Sequence, residues 1–306
     1  MMDYSYHRPV MLDECMEGLA LKPGGIYIDL TFGGGGHTKE ILSQLHGKGK
    51  CSVFGFDQDD DARSNAELIE EPSFTFVQAN FRYFTKYLKL YKVSKVDGIL
   101  ADLGVSSHQI DEPERGFSTR FEGPLDMRMD RSRGHTAAEI LNESTAEELQ
   151  RIFGMYGEVR NAKTLAGAIV SARVNKPFAD TGAFVVFLKS FAPRGKDFKY
   201  YAQVFQALRI AVNDEMAALE EMLLQCGEAL KEGGRLVVMS YHSLEDRLVK
   251  NYLNYGNMEG KAEKDFYGNL LRQIKPNNKK PIQASEEEIK LNNRARSAKL
   301  RIGVKL

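Results

Sequence analysis

Four short apolar runs, at 26–30, 51–56, 74–77 and 96–101, are separated by stretches whose apolar residues recur at helical spacing. Ile41, Leu42 and Leu45 form one such stripe, 59–70 reads as a helix ended by Pro72, and 81–91 reads as another. Runs too short for helices, alternating with helices at this spacing, predict an α/β fold: a parallel sheet with helices on both faces. The alternation stops after Asp102. Segment 103–134 is rich in glycine, proline and charge, and a connection of that length is expected to be functional or mobile. Helical patterns follow. Ser144-Thr145-Ala146-Glu147 reads as a capping box leading into Leu149, Ile152 and Phe153, with further helices over 159–174 and 182–191.

A long helical stretch is expected over 201–230, with Phe205, Leu208 and Val212 toward the core, Arg209 interrupting them, and Gly233-Gly234 as the stop. A fifth strand at 235–240 is followed by a helix capped from Ser243-Leu244-Glu245-Asp246, an exposed loop over 254–283, a short helix from Ser285 and a last strand at 298–304. Roughly 100 residues between the fourth and fifth strands exceed an ordinary connection. They predict an inserted helical domain at 109–211 within a sheet domain formed by 1–108 and 212–306.

Composition narrows the class. At 306 residues, with 42% apolar content, the chain is long enough for one large or two modest globular domains. Lysine plus arginine equals aspartate plus glutamate at 42 each, so net charge gives no hint of a nucleic-acid partner. Distribution says more. Segment 292–306 carries Arg294, Arg296, Lys299, Arg301 and Lys305 with no acid, and basic residues dot the inserted segment from Arg151 to Lys199. Such residues bind phosphate or simply solvate helix faces. Cys15, Cys51 and Cys226 are far apart and odd in number, which argues against a disulfide framework or a zinc site and for a reducing compartment. The polar start, 1–8, has no following apolar segment, and no apolar run approaches the roughly 20 residues of a membrane span. A cytoplasmic protein without a signal peptide is expected.

The candidate chemistry begins where the first strand ends. Asp29-Leu30-Thr31-Phe32 leads into Gly33-Gly34-Gly35-Gly36 and a helix opening at His37-Thr38-Lys39-Glu40. Glycines let the backbone take positive φ and approach a ligand closely, and free N–H groups at a helix start favour anionic or polar atoms. No G-x-x-x-x-G-K-[ST] string is present, and counting from Gly33 the sixth position of a dinucleotide fingerprint is Thr38 rather than glycine. S-adenosylmethionine (SAM) remains, with Asp57 closing the second strand as a ribose-hydroxyl acceptor, although NAD sites use an acid there too. A dinucleotide-dependent oxidoreductase and a tight structural turn stay open at this point.

Further motifs lie along nearly the whole chain: Asp102-Leu103-Gly104-Val105-Ser106-Ser107, Glu114-Arg115-Gly116-Phe117-Ser118, Gly123-Pro124-Leu125-Asp126-Met127-Arg128-Met129-Asp130, Phe205-Gln206-Ala207-Leu208-Arg209-Ile210 with Val212-Asn213, Ser240-Tyr241-His242-Ser243-Leu244-Glu245-Asp246-Arg247, and Arg294-Ala295-Arg296-Ser297. With the glycine loop, in this order, they resemble the bacterial ribosomal RNA small-subunit methyltransferase H family, also called MraW. The resemblance implies a class I SAM-dependent methyltransferase fold, Rossmann-like and mostly parallel, with an inserted all-helical domain for substrate recognition. It implies methyl transfer from SAM to N4 of a decoding-centre cytidine in the 16S rRNA of the small ribosomal subunit, no membrane partner, and a homodimer. The alternative without activity is an RNA-binding assembly factor. Asn293 stands where the family often has proline, and Tyr241 where some members have phenylalanine.

Carried over by motif, the cofactor contacts are Gly35, Gly36, His37, Asp57, Phe81, Asp102 and Gln109. The candidate catalytic residues are Asp102, as acceptor from the target amine or from the cofactor's amino group, and His242, as a proton acceptor or base contact at a helix entrance. Tyr241 or Phe117 would stack on an extruded cytosine. Arg115, Arg128, Arg294 and Arg296 are candidates for RNA phosphate, and no metal is expected.

Overall fold

A computed structural model describes residues 8–306. Residues 1–7, on which most of the signal-peptide expectation rests, lie outside the described residues. The chain forms two compact units: one built from the segments up to Gly104 and from Met216 onward, the other from Val105–Glu215.

The first unit opens with helix α1 (Leu12–Leu19), then β1 (Ile26–Asp29), α2 (Gly36–Leu45), β2 (Ser52–Asp57), α3 (Asp60–Ala66), β3 (Phe74–Gln78), a 3-10 turn at Phe81–Tyr83, α4 (Phe84–Leu90) and β4 (Val96–Asp102). The second unit holds α5 (Ser107–Asp111), a 3-10 turn at Pro113–Arg115, α6 (Ala137–Glu143), α7 (Ala146–Gly157), α8 (Ala162–Arg173), α9 (Thr181–Leu188) and α10 (Asp197–Asn213). The chain returns through α11 (Glu215–Ala229), β5 (Leu230–Ser240), α12 (Ser243–Tyr255), β6 (Ile274–Pro276), α13 (Glu286–Leu291), a 3-10 turn at Asn293–Ser297 and β7 (Lys299–Lys305).

The seven strands form one sheet in the order β3-β2-β1-β4-β5-β7-β6. Strands β1 to β5 run parallel, while β7 is antiparallel to β5 and to β6. Both faces are covered, so successive strand residues enter different cores. Ile28, Ile99, Leu236 and Val238 pack in one cluster with α4, α11 and α12. Tyr27, Leu100, Val237 and Met239 pack in the other with α1 and α2. This alternation with both faces buried is what a parallel sheet demands. The strand order reverses between β1 and β4, and the carboxyl ends flanking such a reversal are where open α/β sheets bind ligands.

Several sequence expectations are corrected. The single helix over 201–230 is two, because Asp214 adopts φ 49° and ends α10. Gly233-Gly234 does not stop the helix, which ends at Ala229; the pair sits inside β5, where the register jumps from Val96↔Leu230 to Gly98↔Arg235. The cap of α7 is Thr145 with Glu148, one residue later than expected, and Thr136 with Glu139 caps α6, a helix that, like α1, adds to those predicted. Helix α3 ends at Ala66, well short of Pro72. The loop over 254–283 contains β6.

The expected loop over 103–134 is tied down within its unit. Arg115, 3% exposed, donates through Nη2 to the carbonyls of Arg128 (3.0 Å) and Met129 (3.3 Å). Asn213 accepts from the Met129 N–H at 2.7 Å and donates to the Met127 carbonyl at 2.8 Å. Gly116 and Gly123 allow the two strands of this loop to cross: a Cβ there would sit 2.2 Å from the Pro124 carbonyl and 2.1 Å from the Pro113 carbonyl. The unit's core is helical and aromatic, with Phe178, Phe184 and Phe187 in mutual contact. Among the described residues no helix is long and apolar enough to cross a membrane, and all three cysteines are free.

Candidate active site

The carboxyl edge of the sheet in the first unit gathers three aspartates, each the last residue of its strand: Asp29, Asp57 and Asp102. Each has a defined task. Asp29 is 1% exposed and accepts from the Thr38 hydroxyl (2.8 Å) and the Thr31 N–H (3.2 Å), which fastens β1 to the first turn of α2. Asp57 accepts from the Gly33 N–H (2.8 Å) and the Asp59 N–H (3.0 Å), so it anchors the glycine loop to the end of β2. Asp102 accepts from the Tyr241 hydroxyl at Oδ1 (2.8 Å), and its own N–H donates to Thr31 Oγ1 (2.6 Å). Tyr241 follows the last residue of β5, so this pair joins the ends of β4 and β5.

Burial pushes all three carboxyls up to about 6. The charge of Asp29 adds to the rise at Asp57 and Asp102; the nearby His37 and the Tyr241 hydroxyl pull Asp102 the other way. An edge that holds three hard-to-ionise acceptors favours a cationic or hydroxyl-rich ligand, which would supply the missing compensation.

The four glycines differ in what they do. Gly35 has φ 75°, and a Cβ on it would lie 2.7 Å from the Phe32 ring; a Cβ on Gly36 would lie 2.3 Å from Pro9. These two are required by packing against the protein itself. Gly34 is exposed and a Cβ there meets nothing within 4 Å, so the open side of the loop is at Gly34. Beyond it, the first N–H groups of α2 have no partner inside the helix. Together these features fit SAM: acceptors for a ribose diol and an amine, anionic surroundings for a sulfonium, and a backbone cradle.

His37 is 6% exposed, and its Nε2 lies 3.2 Å from the Val10 carbonyl, an acceptor, so Nε2 carries the proton. Burial pushes the ring below its ordinary value, against the opposing pull of the Asp102 charge and the Val10 carbonyl. Phe81 begins the 3-10 turn after β3, half-buried against the core; the preceding Asn80 donates to Gln58, next to Asp57, at 2.9 Å. His242 is the N-cap of α12, in place of the expected Ser243: its Nδ1 accepts from the Glu245 N–H at 3.4 Å, and Nε2 lies 3.1 Å from Glu245 Oε1. Glu245, 2% exposed, also accepts from the Tyr241 N–H at 2.9 Å. Nδ1 is thus engaged in fixing the 240–245 turn that carries Tyr241, while Nε2 is buried with no hydrogen-bond partner among the described residues. Gln109 lies in the second unit, where it is 5% exposed and closes a capping box with Ser106.

The first unit therefore brings Asp57, Asp102, the glycine loop, His37, Phe81 and His242 to one sheet edge. Thr31, Thr38 and Glu245 complete it and were not among the candidate site residues; their signal is position, two residues beyond a strand-end acid, at the helix entrance and at the third position after a cap. Among the residues proposed to stack on a base, Tyr241 has its hydroxyl committed to Asp102. Phe117 sits in the second unit beneath the Arg115 guanidinium, 5.7 Å away. Arg115 is corrected as a phosphate contact, being buried, and Arg128 is ion-paired with Asp126 at 2.7 Å. In the basic tail, Lys299 and Arg301 both pair with Asp246.

Residues 4–306 match the family model described as the MraW methylase family. A ribosomal RNA small subunit methyltransferase H from Cytophaga hutchinsonii is 58% identical over 297 residues, covering 97% of this chain and 98% of that protein. Proteins of the same name are 54% identical in Phocaeicola vulgatus, over 98% of this chain and 97% of theirs, and 53% identical in Amoebophilus asiaticus, over 98% and 96%.

Proposed function

Because the chain belongs to the MraW methylase family, we propose that it methylates N4 of a cytidine in the 16S RNA of the small ribosomal subunit. It is a SAM-dependent methyltransferase acting on small-subunit ribosomal RNA; the base, the atom and the residue roles are our reading. One observation carries those roles. Asp102 has one carboxylate oxygen pinned by the Tyr241 hydroxyl, while Oδ2 has no hydrogen-bond partner among the described residues. A half-buried carboxylate with one oxygen fixed and one available is an acceptor aimed at the edge where β4 ends.

The exocyclic amine of cytosine is a poor nucleophile because its lone pair is delocalised into the ring. Bound SAM supplies the electrophilic methyl. The chain's part is to line the amine up behind that methyl, which is chiefly a matter of positioning. As the N–CH3 bond forms and the S–CH3 bond would break, leaving S-adenosylhomocysteine, Asp102 Oδ2 accepts an amine hydrogen, stabilises the positive charge that grows on N4 and takes up the proton that N4 then sheds. Asp57 and the start of α2 hold the cofactor, with Gly35 and Gly36 shaping the loop from behind. His37 and Gln109 add cofactor contacts, His242 fixes the turn carrying Tyr241 through Nδ1 and offers Nε2 to a proton or the base, and the remainder of the second unit serves substrate recognition. We take the compartment to be the cytoplasm and the working assembly to be a homodimer.

The test is transfer of labelled methyl from SAM to small subunits lacking the modification, with the product nucleosides identified by mass spectrometry. N4-methylcytidine is expected. A methylated base other than cytidine would overturn the choice of target. RNA binding with no transfer to any subunit or precursor would favour the assembly-factor reading.

A further inference from the structure

The second unit carries a concentration of positive charge that the methyl-transfer site does not use. From Thr181 to Asn213 the only acid is Asp197, against Lys189, Arg194, Lys196, Lys199 and Arg209. Arg209 is neutralised by Glu215 at 2.8 Å. The other four are exposed, and none takes part in an ion pair among the described residues.

Asn161 brings a second segment to the same place. Its Nδ2 donates to the Phe191 carbonyl at 3.1 Å, and its Oδ1 accepts from the Tyr200 hydroxyl at 3.0 Å. The start of α8 is thereby fastened both to the turn after α9 and to the first turn of α10, so exposed Arg160 and Lys163 join the cluster. Six exposed cations, none in an ion pair among the described residues, thus lie on three segments fastened together, and Phe198 stands 85% exposed on that first turn, meeting the edge of Tyr201 with ring centroids 6.5 Å apart.

We propose that this cluster is an RNA-docking surface: the six cations bind phosphates along one backbone stretch and Phe198 stacks on an unpaired base. The proposal rests on the ribosomal RNA reading above and gives that substrate a place of contact. Charge complementarity selects the occupant. The chain as a whole is neutral, with 42 bases and 42 acids, so an uncompensated local excess is not a by-product of composition. Backbone phosphate contacts supply most of the affinity for RNA, and an aromatic face adds about 1–3 kcal/mol per stacked base without demanding a sequence. A protein partner matched to this surface would need acids opposite six cations and a pocket for one ring; RNA offers both as a matter of course.

The experiment measures binding of unmodified small subunits, and of their isolated RNA, to the full chain across a salt series. Arg194→Ala/Lys196→Ala/Lys199→Ala removes three cations. At about 0.7 per phosphate on a single strand, the slope of log affinity against log salt should flatten by about 2, and affinity near physiological salt should drop at least about tenfold. Phe198→Ala should lower affinity roughly tenfold while leaving the slope unchanged, a signature that lost charge cannot imitate. SAM titration and thermal midpoint, which report on the first unit and on folding, should match wild type in both variants. Wild-type affinity and slope in both variants would overturn the surface while wild-type methyl transfer still stood. A change in oligomeric state with unchanged RNA affinity would reassign the patch to protein contact. Failure of the wild-type chain to bind or methylate any subunit would remove the reading on which the proposal rests.

Discussion

The glycine loop shows how much one Cβ decides. Gly34 and Gly36 are two residues apart, yet one faces open space and the other faces Pro9 at 2.3 Å. Gly36→Ala forces the segment at Pro9 or the loop to move and should destabilise the chain by about 1–3 kcal/mol, as overpacking does. Gly34→Ala, where φ is not positive, should leave the unfolding midpoint within about a degree of wild type and weaken SAM binding at least several-fold. Urea unfolding and SAM titration of the pair separate the two effects. A Gly34 variant that binds SAM as wild type would place the cofactor elsewhere.

The same loop shows what was legible. Asp29, Asp57 and Asp102 are visible in the sequence because each closes an apolar run, and strand-end acids face the carboxyl edge whatever the packing. The Tyr241–Asp102 bond was not visible, since it joins residues 139 apart. Its tyrosine read equally well as a stacking ring. His242 read as a catalytic candidate because histidine at a helix entrance serves either chemistry or capping; here Nδ1 caps the helix while Nε2 stays buried without a hydrogen-bond partner, so one ring does the second and is free for the first.

Among the elements, the strands were legible to within about a residue or two at most ends, because a sheet buried on both faces writes continuous apolar runs. Helix α1 was missed although Leu12, Cys15, Met16 and Leu19 stand at i, i+3, i+4 and i+7 and are all buried. The break between α10 and α11 rests on a left-handed Asp214, a conformation that aspartate tolerates better than most residues and that the apolar periodicity does not record. The loop over 103–134 read as functional or mobile from its length; what orders it is reach from outside, above all from Asn213 at the end of α10. Asn213→Ala removes bonds at both Met127 and Met129, and its acceptor and donor both serve half-buried backbone. A loss of about 2 kcal/mol is expected, with the protease sensitivity of 103–134 rising and SAM affinity of the first unit holding. Unchanged proteolysis would show that Arg115 alone suffices to hold the loop.

For the whole molecule the raised carboxyls are a source of instability accepted for function. A carboxyl at about 6 in the folded state and about 3.9 unfolded holds its proton in the folded chain over the interval between. The stability this contributes is full only below about 3.9 and is lost as the pH rises from there through 6. For Asp102 the loss is on the order of 1–3 kcal/mol. Asp102→Asn, which keeps an oxygen for Tyr241 and cannot ionise, should therefore unfold like wild type near pH 4 and become more stable than wild type by that amount at pH 7. Asp126 and Asp246, held below the ordinary range by hydrogen bonds and charge from Arg128 and Arg301, work in the opposite sense and are common to both proteins, so they cancel in the difference. Equal stabilities at pH 7 would mean that Asp102 is not burdened by its site.

The central claim is that ionised Asp102, held by Tyr241, accepts from the target amine. The most direct measurement is the pH dependence of single-turnover methyl transfer to unmodified small subunits, at saturating SAM, from pH 5 to 8. The rate should fall on the acid side with a midpoint near 6, where Asp102 takes up its proton. Tyr241→Phe, which removes the hydrogen bond favouring the ionised form, should move that midpoint to higher pH and lower the plateau by roughly tenfold. A rate that stays flat down to pH 5, or a midpoint indifferent to the Tyr241 hydroxyl, would contradict the role assigned to Asp102.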